Sequence, residues 1–331
     1  MAASPAPDPR RRIHRRHVIA AGYAMVLCTT VAAASPAEGD PHTASAKPTV
    51  VLVHGAFADA SSWNGVIERL ERRGYAVIAP ANPLRGLHSD STYIASVLDS
   101  VKGPIVLVGH SYGGALIGSA AEGNSRVKSL VYVSAQMLDV GESGMSLSAR
   151  FPSELATATR SVTYRAGGIS GTDLYLKPDR LHQVFAADLP ESTARVLAAA
   201  QRPAATTAFS EKAEAAAWKH IPSWFLVAKQ DKAINPDQER FEAGRAGSHM
   251  VEIDSSHVAM ISHPEAVTDL VLQAAEAAGP GRSALATTGT GHDERAETAL
   301  AGIAAASLIT GTGAVLLGRR LRRTPRTPSG G

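Results

Sequence analysis

At 331 residues the chain is longer than one catalytic domain needs, and its single cysteine excludes both a disulfide framework and a cysteine-built zinc site. The formal charge of +3 comes from 33 basic and 30 acidic residues, but five arginines crowd residues 10–16 and five more crowd 319–326. Between 38 and 288 the balance is 22 basic against 26 acidic residues, which excludes the basic stripe of a nucleic-acid binder.

Residues 10–16 read Arg-Arg-Arg-Ile-His-Arg-Arg, and an uncharged, largely apolar stretch follows at 18–34. Small residues close it at Ala32-Ala33-Ala34 and Ser35-Pro36-Ala37. A charged start, an apolar middle and a small-residue cleavage site predict a secretory signal over 1–37, then a linker over 38–47. Arg15-Arg16-His17-Val18-Ile19 resembles the twin-arginine export pattern in a loose form. Cys28 lies inside the apolar stretch without the small residue that lipidation wants before it, so the exported protein is expected to hold no cysteine.

From 48 to 278, strand-like and helix-like runs alternate, the signature of an α/β sheet. Strands are expected at 49–53, 75–79, 105–108, 129–133, 224–228 and 250–253. Helices are expected at 62–73, 92–101, 114–121, 236–246 and 264–277. The near-continuous apolar strands predict a mostly parallel sheet of about six strands with helices on both faces. Residues 136–220 interrupt the alternation with Ala-rich, Pro-punctuated sequence, expected to form a helical cap over the strands' C-terminal ends. Phe151, Leu155, Tyr164, Tyr175, Phe185 and Trp218 would line a pocket there or pack the cap. With aromatics only 5% of the chain, a broad platform for polysaccharide is not expected.

Three loops carry chemistry. Gly109-His110-Ser111-Tyr112-Gly113 lies between a buried strand and a buried helix, so it reads as a nucleophile elbow. The turn is tight enough to demand small residues two before and two after Ser111, hence Gly109 and Gly113. A serine hydroxyl is protonated at neutral pH and needs a base, and the base needs an acid to hold its tautomer. Asp231 follows the strand ending Ala228-Lys229, and His257 follows the next strand in Ile253-Asp254-Ser255-Ser256-His257. Ser111, Asp231 and His257 therefore form the predicted catalytic set. His54-Gly55-Ala56-Phe57 ends the first strand, and the backbone N–H groups of Ala56 and Tyr112 are the predicted oxyanion donors.

Competing residues have plainer expected roles. Asp139 follows the strand after the elbow and is the alternative acid. Asp237 is expected to cap a helix, Asp254 to end a strand, His263 to sit at a helix entry and His249 to open a strand. His110 is expected to pack beneath the turn.

Beyond the sheet, a linker at 279–297 contains Leu285-Ala286-Thr287-Thr288-Gly289. Residues 298–318 form a run of 21 without a charge, and Arg319-Arg320-Leu321-Arg322-Arg323 follows within a basic tail at 319–331. The run is long enough to span a bilayer, with the arginines cytoplasmic. The pentapeptide, span and tail resemble a cell-wall sorting signal of the LAxTG type read by class E sortases. That resemblance implies cleavage between Thr288 and Gly289 and transfer of Thr288 to peptidoglycan, with a sortase as partner. The expected location is therefore outside the membrane, on the cell wall or held by the C-terminal helix.

Taken together, Leu52-Val53-His54-Gly55-Ala56, Gly109-His110-Ser111-Tyr112-Gly113-Gly114, Ala228-Lys229-Gln230-Asp231 and Ser256-His257-Val258-Ala259-Met260 resemble the α/β-hydrolase family across 48–278. Within it they are similar to the cluster of plant methyl esterases, plant hydroxynitrile lyases and related bacterial esterases. The resemblance implies an α/β-hydrolase fold with a helical cap, no metal, no organic cofactor and a small-molecule ester as substrate. The lyases carry threonine where this chain has Gly55, and lysine after the histidine where it has Val258; both departures favour an esterase. A lyase or cofactor-free perhydrolase on the same scaffold, and a catalytically silent surface binding protein, are the alternatives.

Overall fold

The computed structural model describes residues 47–279. The expected signal at 1–37, all but the last residue of the 38–47 linker, the 285–289 pentapeptide, the 298–318 span and the 319–331 tail lie outside the described residues. Among the described residues no helix is long and apolar enough to cross a membrane.

The first strand, β1 (Thr49–Val53), leads through a single 3-10 turn at Ala60–Trp63 into α1 (Asn64–Arg72). Gly74, with φ of 74°, reverses the chain, and the Tyr75 N–H returns to the Leu70 carbonyl at 3.2 Å. That turn consumes the start of the expected second strand, so β2 is only Val77–Ile78. The next helix, α2 (Leu87–Ser100), starts before the predicted Thr92. Its polar first turn is usable because the Asp90 carboxylate accepts the N–H groups of Arg85 and Gly86, while Glu211 accepts that of His88. Then come β3 (Ile105–His110), α3 (Tyr112–Ala120) and β4 (Val127–Val133).

The segment after β4 is not wholly helical. It holds the helices α4 (Gly144–Arg150) and α5 (Leu155–Ala158), but then β5 (Thr159–Ala166) and β6 (Ile169–Leu176). The two strands pair antiparallel around a two-residue loop, Gly167-Gly168, both with positive φ. Only such a turn matches the twist of a tight hairpin, and glycine adopts it without steric cost. Tyr164 lies across from Gly171 and covers it, so that a Cβ on Gly171 would stand 2.8 Å from the ring. The helices α6 (Pro178–Phe185) and α7 (Glu191–Ala200), the short strand β7 (Ala204–Ala205) beside β6, and α8 (Thr206–Ser210) complete the cap.

The alternation resumes with β8 (Ser223–Ala228), α9 (Pro236–Ala246), β9 (His249–Ile253), the short α10 (Ala259–Ser262) and α11 (Pro264–Ala277). The central sheet has the order β2-β1-β3-β4-β8-β9, with every pair parallel. All six residues of β3 and all six of β8 are buried, which requires cover on both faces of the sheet. The cover comes from α1 with α11 and from α2 with α3, while α9 packs on β8. Because every strand runs the same way, the loops after β1, β3, β8 and β9 open on one edge of the sheet. That edge receives Ala56, Ser111, Asp231 and His257.

Candidate active site

Ser111 stands at the turn between β3 and α3 with φ of 53° and ψ of −124°. A non-glycine residue there is strained and persists only where its surroundings over-determine it. The Ser111 N–H donates to the Val133 carbonyl at 3.3 Å, and its own carbonyl accepts from Gly114 at 2.9 Å and Gln136 at 3.2 Å. The glycines explain themselves sterically. A Cβ on Gly109 would stand 2.6 Å from the Gly113 carbonyl oxygen, and one on Gly113 would collide with the Val53 carbonyl.

The loop after β1 lies directly against this turn. A Cβ on Gly55 would stand 2.6 Å from Ser111 Cβ. His54 anchors the loop: Nε2 accepts the Asn82 N–H at 3.0 Å, so Nδ1 carries the proton and donates to the Gly55 carbonyl at 2.9 Å. Burial pushes the His54 pKa down to about 4, so the ring is neutral and serves as a fixed strut. Among the described residues no acceptor takes the Ala56 N–H, whereas the Phe57 N–H donates to the cap carbonyl of Arg202 at 3.1 Å. Tyr112 is the first residue of α3, so its N–H has no acceptor within the helix. The Tyr112 hydroxyl is used elsewhere, donating to Asp90 at 2.9 Å.

Asp231 is set by a turn at the end of β8, where its N–H reaches the Ala228 carbonyl at 3.1 Å. Oδ1 accepts the N–H groups of Ala233 at 2.7 Å and Ile234 at 2.9 Å, which leaves Oδ2 to face His257 Nδ1 at 2.6 Å. Both side chains are shut off from solvent. An acceptor at Nδ1 assigns the proton to that nitrogen and leaves Nε2 free to act as a base. Behind Asp231, the fully buried Glu239 accepts the Ala228 N–H at 3.0 Å. Burial first, and the Asp231 charge second, push the Glu239 carboxyl far above its ordinary range.

The structure thus brings Asp231 and His257 into direct contact and joins them to the elbow through His110. His110 Nε2 donates to the His257 carbonyl at 3.0 Å, and the two rings lie 4.7 Å apart. No hydrogen bond between Ser111 Oγ and His257 Nε2 is present among the described residues; contacts of this kind tighten when substrate arrives. His110 is neutral, its pKa driven well below the ordinary value by burial and by the neighbouring His257.

The competing residues are occupied away from this point. Asp139 pairs with Lys219, Asp254 with Lys229, and Asp237 with Arg240 inside the first turn of α9. The cap of α9 is Asn235, not Asp237, because the Asn235 side chain accepts the Asp237 N–H at 2.9 Å. His249 stacks on Trp224 with ring centres 4.9 Å apart, and His263 enters α11. Of the six cap residues named from sequence, Phe185 reaches the site, its ring centre 4.8 Å from that of His257. Phe151 packs on Phe241, Trp218 donates to the Leu138 carbonyl, Tyr164 lies under Arg85, and Tyr175 under Arg160. Leu155 is half-buried against the core.

Four site residues had no separate signal in the sequence: Arg85, Asp90, Asp188 and Glu239. Arg85 bridges core and cap, with its guanidinium 2.8 Å from Asp173 of β6 and its N–H on Asp90. A cavity of about 660 Å³ lined by Pro104, Arg126, His220 and Pro222 lies at the opposite edge of the sheet, before the starts of β3, β4 and β8. In a parallel sheet that edge is remote from Ser111, and the cavity plays no part in the site.

The alpha/beta hydrolase family model matches residues 50–270. Among curated proteins the chain is 27% identical over 252 residues to alpha/beta hydrolase nvfD of Aspergillus novofumigatus, covering 69% of this chain and 97% of that protein. It is 26% identical over 252 residues to salicylic acid-binding protein 2 of Nicotiana tabacum, covering 68% of this chain and 96% of that protein. The solved structure of polyneuridine aldehyde esterase superposes with a TM-score of 0.61 at 21% identity, over 69% of this chain and 99% of that one. With the elbow, the parallel sheet and the family match in agreement, this chain belongs to the alpha/beta hydrolase family.

Proposed function

We propose that the protein is a carboxylic-ester hydrolase for small-molecule esters, working through Ser111, His257 and Asp231. The observation that carries the reading is the 2.6 Å contact between Asp231 Oδ2 and buried His257 Nδ1, on the sheet edge where the Ser111 elbow lies. Ser111 Oγ attacks the ester carbonyl carbon while His257 Nε2 takes its proton. Asp231 stabilises the imidazolium, and the Ala56 and Tyr112 N–H groups receive the oxyanion. The carbon–oxygen bond to the alcohol then breaks, and His257 returns the proton to the leaving alkoxide. Water attacks the acyl-enzyme with His257 again as base, releasing the acid and free Ser111.

Two features support ester hydrolysis over the lyase alternative. With a Cβ on Gly55 standing 2.6 Å from Ser111 Cβ, this backbone has no room for a threonine side chain. Val258, next to His257, is fully buried and apolar, a place that offers no charge for a cyanide group. The resemblances to proteins named as methylesterases point the same way. The test is a chain-length panel of p-nitrophenyl esters on the wild type and Ser111→Ala. Loss of turnover by about 10³-fold or more is expected in the variant. Undiminished turnover, or a wild type inert to both esters and a fluorophosphonate probe, would overturn the assignment.

The proposal extends to location. The succession along the sequence of a signal at 1–37, a pentapeptide ending Thr288-Gly289, an uncharged span and a basic tail supports export and attachment to peptidoglycan by a sortase. Muramidase digestion of host cell walls is expected to release the protein cut after Thr288. Full-length protein extracted only by detergent would replace wall attachment with a retained anchor.

A further inference from the structure

The loop that carries His257 has no regular structure, yet Ser255, Ser256 and His257 are all fully buried. Irregular backbone cut off from water must find partners for its N–H and hydroxyl groups within the protein. The Ser255 N–H reaches the Ile253 carbonyl at 3.1 Å and the two hydroxyls also lie near the Ser256 and Phe185 carbonyls, but one side chain of the cap meets both residues. Asp188, between α6 and α7, accepts the Ser256 N–H at 3.0 Å and the Ser255 hydroxyl at 3.1 Å on Oδ2. Its Oδ1 accepts the Ser256 hydroxyl in a very short contact.

Asp188 is itself held in place. The turn that carries it is closed by Leu189 N–H on the Ala186 carbonyl at 3.1 Å and by His182 Nε2 on the Leu189 carbonyl at 2.9 Å. Three residues earlier, Phe185 lays its ring against that of His257. Burial pushes the Asp188 carboxyl up, but the hydrogen bonds from Ser256, Ser262 and Ser255 outweigh it and hold the group below its ordinary value. The remaining ionisable neighbour is His263, with Nε2 3.6 Å from Oδ2.

A carboxylate accepting three hydrogen bonds from the two residues before His257 leaves that loop little freedom to rotate. We propose that Asp188 is a positioning residue for the reaction: from the cap, it fixes the Ser255–Ser256 backbone so that His257 presents Nδ1 to Asp231 and Nε2 to Ser111. The cap is then part of the machinery that sets the base, as well as a cover. This inference rests on the esterase reading above.

The test uses the full chain with Asp188→Asn, Ser256→Ala and the double variant, and Asp173→Asn as a control that removes a different cap-to-core ion pair. Asp188→Asn is expected to lower kcat by roughly 10- to 100-fold with KM almost unchanged, because a small misplacement of the base costs chemistry before binding. Fluorophosphonate labelling of Ser111 should slow by the same factor. Ser256→Ala should show a smaller loss in the same direction, and the double variant should lose less than the product of the two. Should Asp188→Asn fail to fold, Ser256→Ala alone decides, since it removes only one hydroxyl. A kcat within about twofold of wild type, an equal loss in Asp173→Asn, or independent effects in the double variant would each overturn the proposal. Turnover surviving in Ser111→Ala removes the esterase reading and this proposal together. Turnover lost in Ser111→Ala but intact in Asp188→Asn removes this proposal alone.

Discussion

The sheet core and the cap supply polar groups to the site in different ways. In the core each group has at least one partner among its immediate neighbours, Ser111 in Gly114, Asp231 in Ala233 and Ile234, His54 in Gly55, and the sheet adds Val133, Gln136 and Asn82. In the cap the contributing side chains reach across long stretches of chain, Asp188 to Ser256 and Asp173 to Arg85. Short-range contacts form wherever the local turn forms. The contacts from Asp188 and Asp173 exist only once the cap has docked. The atoms that would react are therefore carried by the sheet core, and their orientation depends in addition on a part that must be assembled onto it.

The sharpest probe of the core side is Asp231→Asn, which replaces an acceptor at His257 Nδ1 with a group able to donate. The wrong tautomer should then face Ser111, and kcat is expected to fall about 10⁴-fold while the fold persists. A loss no greater than that of Asp188→Asn would erase the distinction between reacting core and orienting cap. Next in size is Gly113→Ala, whose methyl group would enter the Val53 carbonyl. Urea unfolding is expected to report a loss of about 3 kcal/mol or more, and unchanged stability would mean the turn has slack that the packing denies.

Acid separates the two regions through His54. Its pKa falls from 6.5 to about 4 on folding, so below pH 6.5 the unfolded chain binds a proton that the native state refuses. Stability is present above pH 6.5 and declines as pH falls toward 4, by about 3 kcal/mol in all. Glu242, also in the core, has the opposite sign. Burial raises its pKa from 4.5 to about 8, so its share of stability is present below pH 4.5 and lost as pH rises through 8. Urea midpoints across pH in His54→Gln and Glu242→Gln should lose the acid and alkaline slopes respectively; slopes that survive would place the titration elsewhere.

The smallest effects belong to the cap. Asp173→Asn leaves a neutral amide, still able to accept, as the buried partner of the half-exposed Arg85 and is expected to cost about 2 kcal/mol. Asn-Gly in place of Gly167-Gly168 keeps the turn type and should change stability by less than about 0.5 kcal/mol. A large loss from either would make the cap as tightly determined as the sheet.

Much of the core was legible in sequence because its signals are periodic or local. Helices expected at 236–246 and 264–277 match α9 and α11, each opened by a proline, and the apolar runs at 49–53 and 224–228 are strands. Asp231 and His257 were expected together because each follows a strand, and strands of one parallel sheet share an edge. The cap hairpin was missed although Gly167-Gly168 between β-branched runs is a strong two-residue turn signal. The Ala-rich helical segments around it hid the change of period. Asp188, Arg85 and Glu239 gave no signal, since an acidic or basic residue in a loop or an amphipathic helix ordinarily faces water.

What the sequence determined by itself is the kind of fold and which residues stand at the turns. Strand–turn–helix spacing and the glycines around Ser111 are properties of neighbouring residues, and the order of Ser111, Asp231 and His257 after successive strands is read along the chain. Tertiary structure alone decided which oxygen of Asp231 meets His257, that burial behind it pushes the Glu239 carboxyl upward, and that Asp188 of the cap meets the His257 loop. The physical reason is range. A turn's sterics act between adjacent residues and can be read along the chain. A buried carboxylate acquires its protonation state and its partners only from residues that folding brings beside it.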